Sequence, residues 1–207
     1  MALFITFEGG EGVGKTTHVG LLVDRLKANG YAAIALREPG GTPLGDYLRD
    51  WLKSTDLPLT SEAELLLFTA ARAELVRRVI KPTLDEGTIV VLDRYSDSTT
   101  AYQGYGRRLP MAQVRAANQL ATGGLVPDLT ILLEGLLEET LRRADQRVNL
   151  RDRRFEDEEK GFHRRVQSGF RRIASRNRSR WEVVDTSKSI EEAHGRIWSR
   201  VQGLIAV

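Results

Sequence analysis

Residues 9–17, Gly-Gly-Glu-Gly-Val-Gly-Lys-Thr-Thr, combine glycines, a lysine and two hydroxyls in a spacing suited to holding a polyphosphate. Several backbone N–H groups must converge on one anion there, which demands dihedrals that a Cβ resists and an approach that a side chain blocks. Gly9, Gly10, Glu11, Gly12, Val13 and Gly14 form the loop. Lys15 supplies a mobile point charge for β and γ phosphates, Thr16 a hydroxyl for Mg²⁺, and the helix expected from Lys15-Thr16-Thr17 its positive N-terminal end. The apolar run Leu3 to Phe7 reads as a strand leading in, so G-x-x-x-x-G-K-[ST] stands in the context that the motif requires.

A second charged group sits where another strand should end. Thr88 to Leu92 reads as buried strand and stops at Asp93-Arg94-Tyr95. Beside a phosphate loop, a carboxylate there either holds Mg²⁺, directly or through water, or caps the next helix. Arg94 suits clamping a second phosphate.

The remaining candidates depend on elements read from periodicity. Ser61-Glu62-Ala63-Glu64 opens a helical pattern with Leu65, Leu66, Phe68, Ala71, Leu75 and Val79 as inner residues and an end near Lys81-Pro82. Spacing alone reads Phe68 as core, and Arg72 either snorkels or points into a pocket. Arg37-Glu38-Pro39-Gly40-Gly41-Thr42-Pro43 turns at the carboxyl end of a strand from Tyr31 to Leu36, where open α/β sheets bind ligands or simply connect. Ser98 to Gly106, with Tyr102 and Gln103, mixes hydroxyls, aromatics and an amide, as a nucleoside contact or a polar loop would.

Strands are also expected at Leu129 to Leu133 and Glu182 to Asp185. Helices carry Val19, Leu22, Val23 and Leu26, then Pro43 to about Lys53, Pro110 to Ala121, Leu136 to Arg147 and Ile190 to Leu204. Alternating strands and helices joined by crossovers predict an α/β fold with a parallel sheet covered on both faces, in one domain over residues 1–207. The length of 207 residues suits that size. The absence of cysteine excludes disulfides and thiolate chemistry. No apolar run approaches the roughly 18 residues that span a bilayer, and the N-terminus reads directly as strand, so no membrane partner and a cytoplasmic location are expected.

The net charge of +3 is uneven: Arg142 to Arg180 holds 13 Arg and 1 Lys against 6 Asp or Glu, a net +8, leaving −5 for the rest. A solvated surface, a nucleic-acid patch and arginines around a polyphosphate are the readings available. Aromatics are sparse there and no nucleic-acid-binding signature occurs, so no nucleic-acid partner is expected. The chain also lacks the Asp-x-x-Gly and Asn-Lys-x-Asp of a GTPase. A small kinase with a second phosphate site fits best.

Several segments in order and spacing resemble the bacterial thymidylate kinases: FEGGEGVGKTT, REPGGTPLG, LLLFTAAR, DRYSDSTTAYQGYGR, PDLTILL and RFEDEEKGFHRRV. The resemblance implies a P-loop NTPase fold of five parallel strands with a mobile lid at about 147–156. It implies transfer of the γ-phosphate of ATP to dTMP with Mg²⁺, and a homodimer. Gly9 to Thr17 would hold the ATP phosphates. Glu11 would meet the sugar 3′-hydroxyl, Phe68 stack on thymine, Arg72 bond a base carbonyl and Arg94 hold the dTMP phosphate. Pro39, Ser98, Tyr102 and Gln103 would complete the dTMP site, and Thr16 and Asp93 the metal site. Gly12 occupies a position that bacterial forms keep free of arginine, so a catalytic arginine is expected from the lid. Such an arginine contributes on the order of 10³ to 10⁵ in rate. The lid reads Arg153-Arg154-Phe155-Glu156 where Asp-Arg-Phe-Glu is common, which leaves Arg151, Arg153 or Arg154 for that role, Arg154 having the fitting spacing. Other readings are a kinase for dUMP, dCMP or a deoxynucleoside, or a nucleotide-binding protein without activity.

Overall fold

A computed structural model describes residues 2–54, 57–147, 155 and 158–205. Five strands form one parallel sheet: β1 (Phe4–Glu8), β2 (Ala33–Arg37), β3 (Ile89–Asp93), β4 (Leu129–Glu134) and β5 (Trp181–Asp185), in the order β2-β3-β1-β4-β5. All five residues of β1 are buried, as are the first four of β3 and the first five of β4. Strands covered on both faces need apolar side chains on both, so these read as continuous hydrophobic runs. Within them Thr6 and Thr130, both fully buried, satisfy one another at 2.9 Å.

On one face α1 (Lys15–Ala28) packs Val19, Leu22, Val23 and Leu26 with Ile197, Trp198 and Val201 of the last helix, Ile190–Ile205. On the other, α3 (Ser61–Leu75) and its continuation bring Leu75, Val76 and Ile80 onto Phe4, Val90, Leu92 and Tyr95. Burying each such side chain stabilises the fold by roughly 1.5–3 kcal/mol. Before α3 in the chain, α2 (Pro43–Ser54) packs against it.

Two expectations need correction and a third is narrowed. The helical run does not stop at Lys81-Pro82: α3 passes through a π-helical turn, Val76–Ile80, into α4 (Lys81–Asp85). Lys81 N–H reaches back five residues to the Val76 carbonyl, so the widened turn has already shifted the hydrogen-bond ladder where Pro82 lacks a donor. Leu66, expected inside, is 63% exposed, because it lies about 100° around the helix from the buried Leu65. Ser98 to Gly106, read as a nucleoside contact or a polar loop, is helical: α5 (Ser96–Thr99) runs into a second π-helical stretch, Thr100–Gly106. Downstream follow α6 (Met111–Thr122), α7 (Leu137–Arg147), α8 (Lys160–Arg176) and the closing α9 (Ile190–Ile205). No helix among the described residues is long and apolar enough to cross a membrane.

The sheet register brings the site together. Phe7 of β1 lies opposite Asp93 of β3 and Ile131 of β4, and Arg37 of β2 opposite Asp93. The loops after β1, β2 and β3 therefore meet at one carboxyl edge, where open α/β sheets bind ligands.

Candidate active site

The turn from β1 into α1 depends on its glycines. Gly9, Gly12 and Gly14 have φ of 138°, 68° and 90°. A Cβ on Gly12 would stand 1.8 Å from the Thr140 carbonyl of α7. Only glycine takes these dihedrals without strain and allows so close an approach, the backbone requirement of a phosphate-binding turn. Val13 anchors the loop in the core, and Thr17 is exposed at the start of α1. Lys15, 7% exposed, donates to the carbonyls of Gly10 (2.6 Å) and Gly9 (3.2 Å). Burial, with Arg94 alongside, pulls its ammonium down to about 8 against the attraction of Glu11, Asp93 and Glu8.

Thr16 Oγ1 donates to Asp93 Oδ2 at 2.7 Å, uniting the two residues expected to serve Mg²⁺. Asp93 does not cap the next helix, whose N-cap is Tyr95 with no side-chain cap. Arg94 follows with φ of 69°, its N–H bonded to the Phe7 carbonyl. Its guanidinium bonds Glu11 (2.6 Å), the Gly9 carbonyl (3.2 Å) and Ser98 Oγ (3.3 Å), and lies 5.0 Å from the Tyr102 ring centre. Burial raises the Glu11 carboxyl, but Arg94, Lys15 and the Tyr102 hydroxyl override it and hold the group at about 2. Glu8 beneath them is the reverse case. Burial and the Asp97 charge push it up to about 8, although it accepts Tyr95 N–H (2.8 Å) and Ser98 Oγ (2.5 Å).

Two cavities adjoin at Arg94. One of about 790 Å³, partly open to solvent, runs along Glu11, Gly12, Gly14, Lys15, Thr16 and Asp93, with Arg37 and Arg49 on its far side. The other, about 320 Å³ and also partly open to solvent, is walled by Phe68, Arg72, Ser98, Tyr102, Gln103 and Phe155. Glu38 and Arg94 line both.

Arg72, 2% exposed, is held at the second cavity by Glu38 (2.6 Å), Thr99 (2.9 Å) and Asn118 (2.9 Å). An arginine so fixed costs little further ordering when a planar acceptor meets its remaining donor. Gln103 donates to the buried Glu64 (2.8 Å), which orients its amide. Phe68 lies 5.9 Å from Phe155, so the aromatic at helical spacing lines a cavity rather than the main core.

Most candidates therefore converge. Pro39 is adjacent but does not line the cavity; its neighbour Glu38 does, and the Pro39 carbonyl accepts Arg49 (3.1 Å). Arg151, Arg153 and Arg154 lie outside the described residues. Sequence reasoning did not single out Glu8, Glu38, Glu64 or Phe155 as site residues. For Glu8 the available signal was its place at the end of a buried apolar run; Glu38, in a turn, and Glu64, at a helix start, offered none.

A thymidylate kinase family profile matches residues 7–197. A thymidylate kinase of Synechococcus sp. (strain JA-3-3Ab) is 50% identical over 200 residues, covering 97% of this chain and 95% of that one. One from Thermomicrobium roseum is 48% identical over 201 residues, with the same coverage. The crystal structure of thymidylate kinase from Ehrlichia chaffeensis superposes with a TM-score of 0.79 at 34% identity, over 97% of this chain and 98% of that one. Sequence, fold and site geometry agree: the chain belongs to the thymidylate kinase family.

Proposed function

We propose that this protein transfers the γ-phosphate of ATP to dTMP, giving dTDP and ADP. The observation that carries the reading is the pair of adjoining cavities sharing Arg94, one built on the phosphate loop and one walled by an aromatic, an arginine and an amide. ATP phosphates would lie along Gly9 to Thr17. The thymine would stack on Phe68 within reach of Arg72 and Gln103, and the acceptor phosphate would lie against Arg94.

In the reaction an oxygen of the dTMP phosphate attacks the γ-phosphorus as the bond to the β–γ bridging oxygen breaks. The transition state is loose, with charge spread over the equatorial oxygens, so the protein chiefly positions and neutralises. Lys15 neutralises charge on the donor side and Arg94 on the acceptor side. Glu11 keeps Arg94 aimed along the line between the cavities. Assignment of a further arginine to Arg154, Arg153 or Arg151 rests on the family resemblance.

Mg²⁺ fits the residues present. The Thr16 hydroxyl and Asp93 carboxylate are hard oxygen donors at one point, and the described residues hold no cluster of three or more His, Cys, Asp or Glu. That is the donor set of an ion completed by phosphates and water rather than a protein cage. Bound with the nucleotide, Mg²⁺ would neutralise charge on the β and γ oxygens.

A homodimer is the assembly that the resemblance implies.

A coupled ADP-release assay with MgATP and dTMP, dUMP, dCMP, thymidine or no acceptor tests the function. Strong release with dTMP, weaker with dUMP and little without acceptor is expected, since one methyl group is worth only about 1–3 kcal/mol in a pocket. Release independent of acceptor would overturn the reading.

A further inference from the structure

Arg107, just beyond the second π-helical stretch, lines neither cavity, yet it binds residues that hold Gln103 and Phe155 in the wall of the acceptor cavity. Its Nε and Nη2 each donate to Glu64 at 3.1 Å, and Glu64, 2% exposed, also accepts Gln103 (2.8 Å). Its Nη1 pairs with Glu158 at 2.5 Å. Glu158 N–H in turn donates to the Phe155 carbonyl (3.2 Å). Phe155 packs 5.0 Å from Tyr102 and 5.9 Å from Phe68. The Arg107 guanidinium lies 4.7 Å from the Phe162 ring, which fixes the approach of α8.

Three separated segments, α3, the stretch after Tyr102 and the approach to α8, are thus joined through one guanidinium. A fork of five donors suits that task better than an ammonium. We propose that Arg107 is a positioning residue for acceptor binding. Through Glu158 it holds Phe155 against Phe68 and Tyr102, and through Glu64 it orients Gln103. The proposal rests on the kinase reading above.

The test compares Glu158→Gln, Arg107→Lys, Phe155→Leu and the double variant Glu158→Gln/Phe155→Leu with the wild type, measuring KM for dTMP, KM for ATP, kcat and Tm. Glu158→Gln leaves Arg107 bonded to Glu64, so the variant should fold. Loss of a charge-assisted hydrogen bond predicts a rise in KM for dTMP of roughly 3- to 10-fold with KM for ATP within about 2-fold. Adding Glu158→Gln to Phe155→Leu should raise KM little further, because both changes act on the same wall. Arg107→Lys should give a partial defect of the same kind. A lower Tm with both KM values unchanged, or equal rises in both, would overturn the proposal, as would full additivity in the double variant. Wild-type protein inactive towards dTMP would overturn the kinase reading itself, a result separable from any variant effect.

Discussion

Arg94 Nη2 stands 2.6 Å from Glu11 Oε1, and the same carboxylate oxygen accepts the Tyr102 hydroxyl at 2.7 Å. The phosphate loop and the cavity walled by Phe68, Arg72 and Tyr102 are therefore tied through a single oxygen. Arg94→Ala should lower kcat/KM for dTMP by about 100-fold or more, the loss of a charge-assisted clamp, while ATP binding changes only a few-fold. Steady-state kinetics varying each substrate separately check this. Equal damage to both would remove Arg94 from the acceptor role.

Asp93 accepts the Thr16 hydroxyl at 2.7 Å. Asp93→Asn keeps the shape and removes the charge, so the Mg²⁺ concentration for half-maximal activity should rise several-fold and kcat should fall. An Mg²⁺ titration reads both, and an unchanged midpoint would mean that the carboxylate serves only to hold Thr16.

Gly12 combines a φ of 68° with a Thr140 carbonyl oxygen 1.8 Å from where a Cβ would stand. Gly12→Ala should force the loop away from α7, costing about 2–4 kcal/mol of stability and most of the ATP affinity. Thermal unfolding with and without ATP is the check. A variant with unaltered Tm would show that α7 gives way freely.

Glu8, raised to about 8 from an ordinary 4.5, binds a proton in the folded protein across a range where the unfolded chain has lost it. Its stabilising contribution is therefore full below about pH 4.5 and lost as the pH rises towards 8. Glu11, at about 2, behaves oppositely: its contribution is present above about 4.5 and lost on acidification towards 2. The lowered His18, His163 and His194 also favour the folded state as pH rises towards 6.5. Glu8→Gln, which mimics the protonated form, should flatten the decline between about pH 6.5 and 8, read from urea midpoints at each pH. A parallel decline in both proteins would contradict the assignment.

Much of this site was legible because its parts are local. The strand-glycine-lysine-helix sequence dictates the phosphate loop, and the apolar runs before Asp93 and Gly9 dictate parallel strands whose ends must meet. Phe68 was ambiguous, since helical spacing alone cannot tell a core face from a cavity wall. What stayed hidden was long-range: Glu38 under Arg72 and Glu64 under Gln103 and Arg107 are carboxylates whose partners lie 34 to 43 residues away. Nothing in their own neighbourhoods marks them as buried. The passage through Pro82 was hidden for another reason, because a π-helical turn removes the penalty that proline normally imposes.

The most direct measurement of the central claim follows the γ-phosphate of labelled ATP in the presence of dTMP, with wild-type protein and Arg94→Ala. Transfer to dTMP predicts label in dTDP for the wild type, dependent on Mg²⁺, and its near loss in the variant. Label released as inorganic phosphate at the same rate with or without dTMP would contradict it, leaving a nucleotide-binding loop without the acceptor site described here.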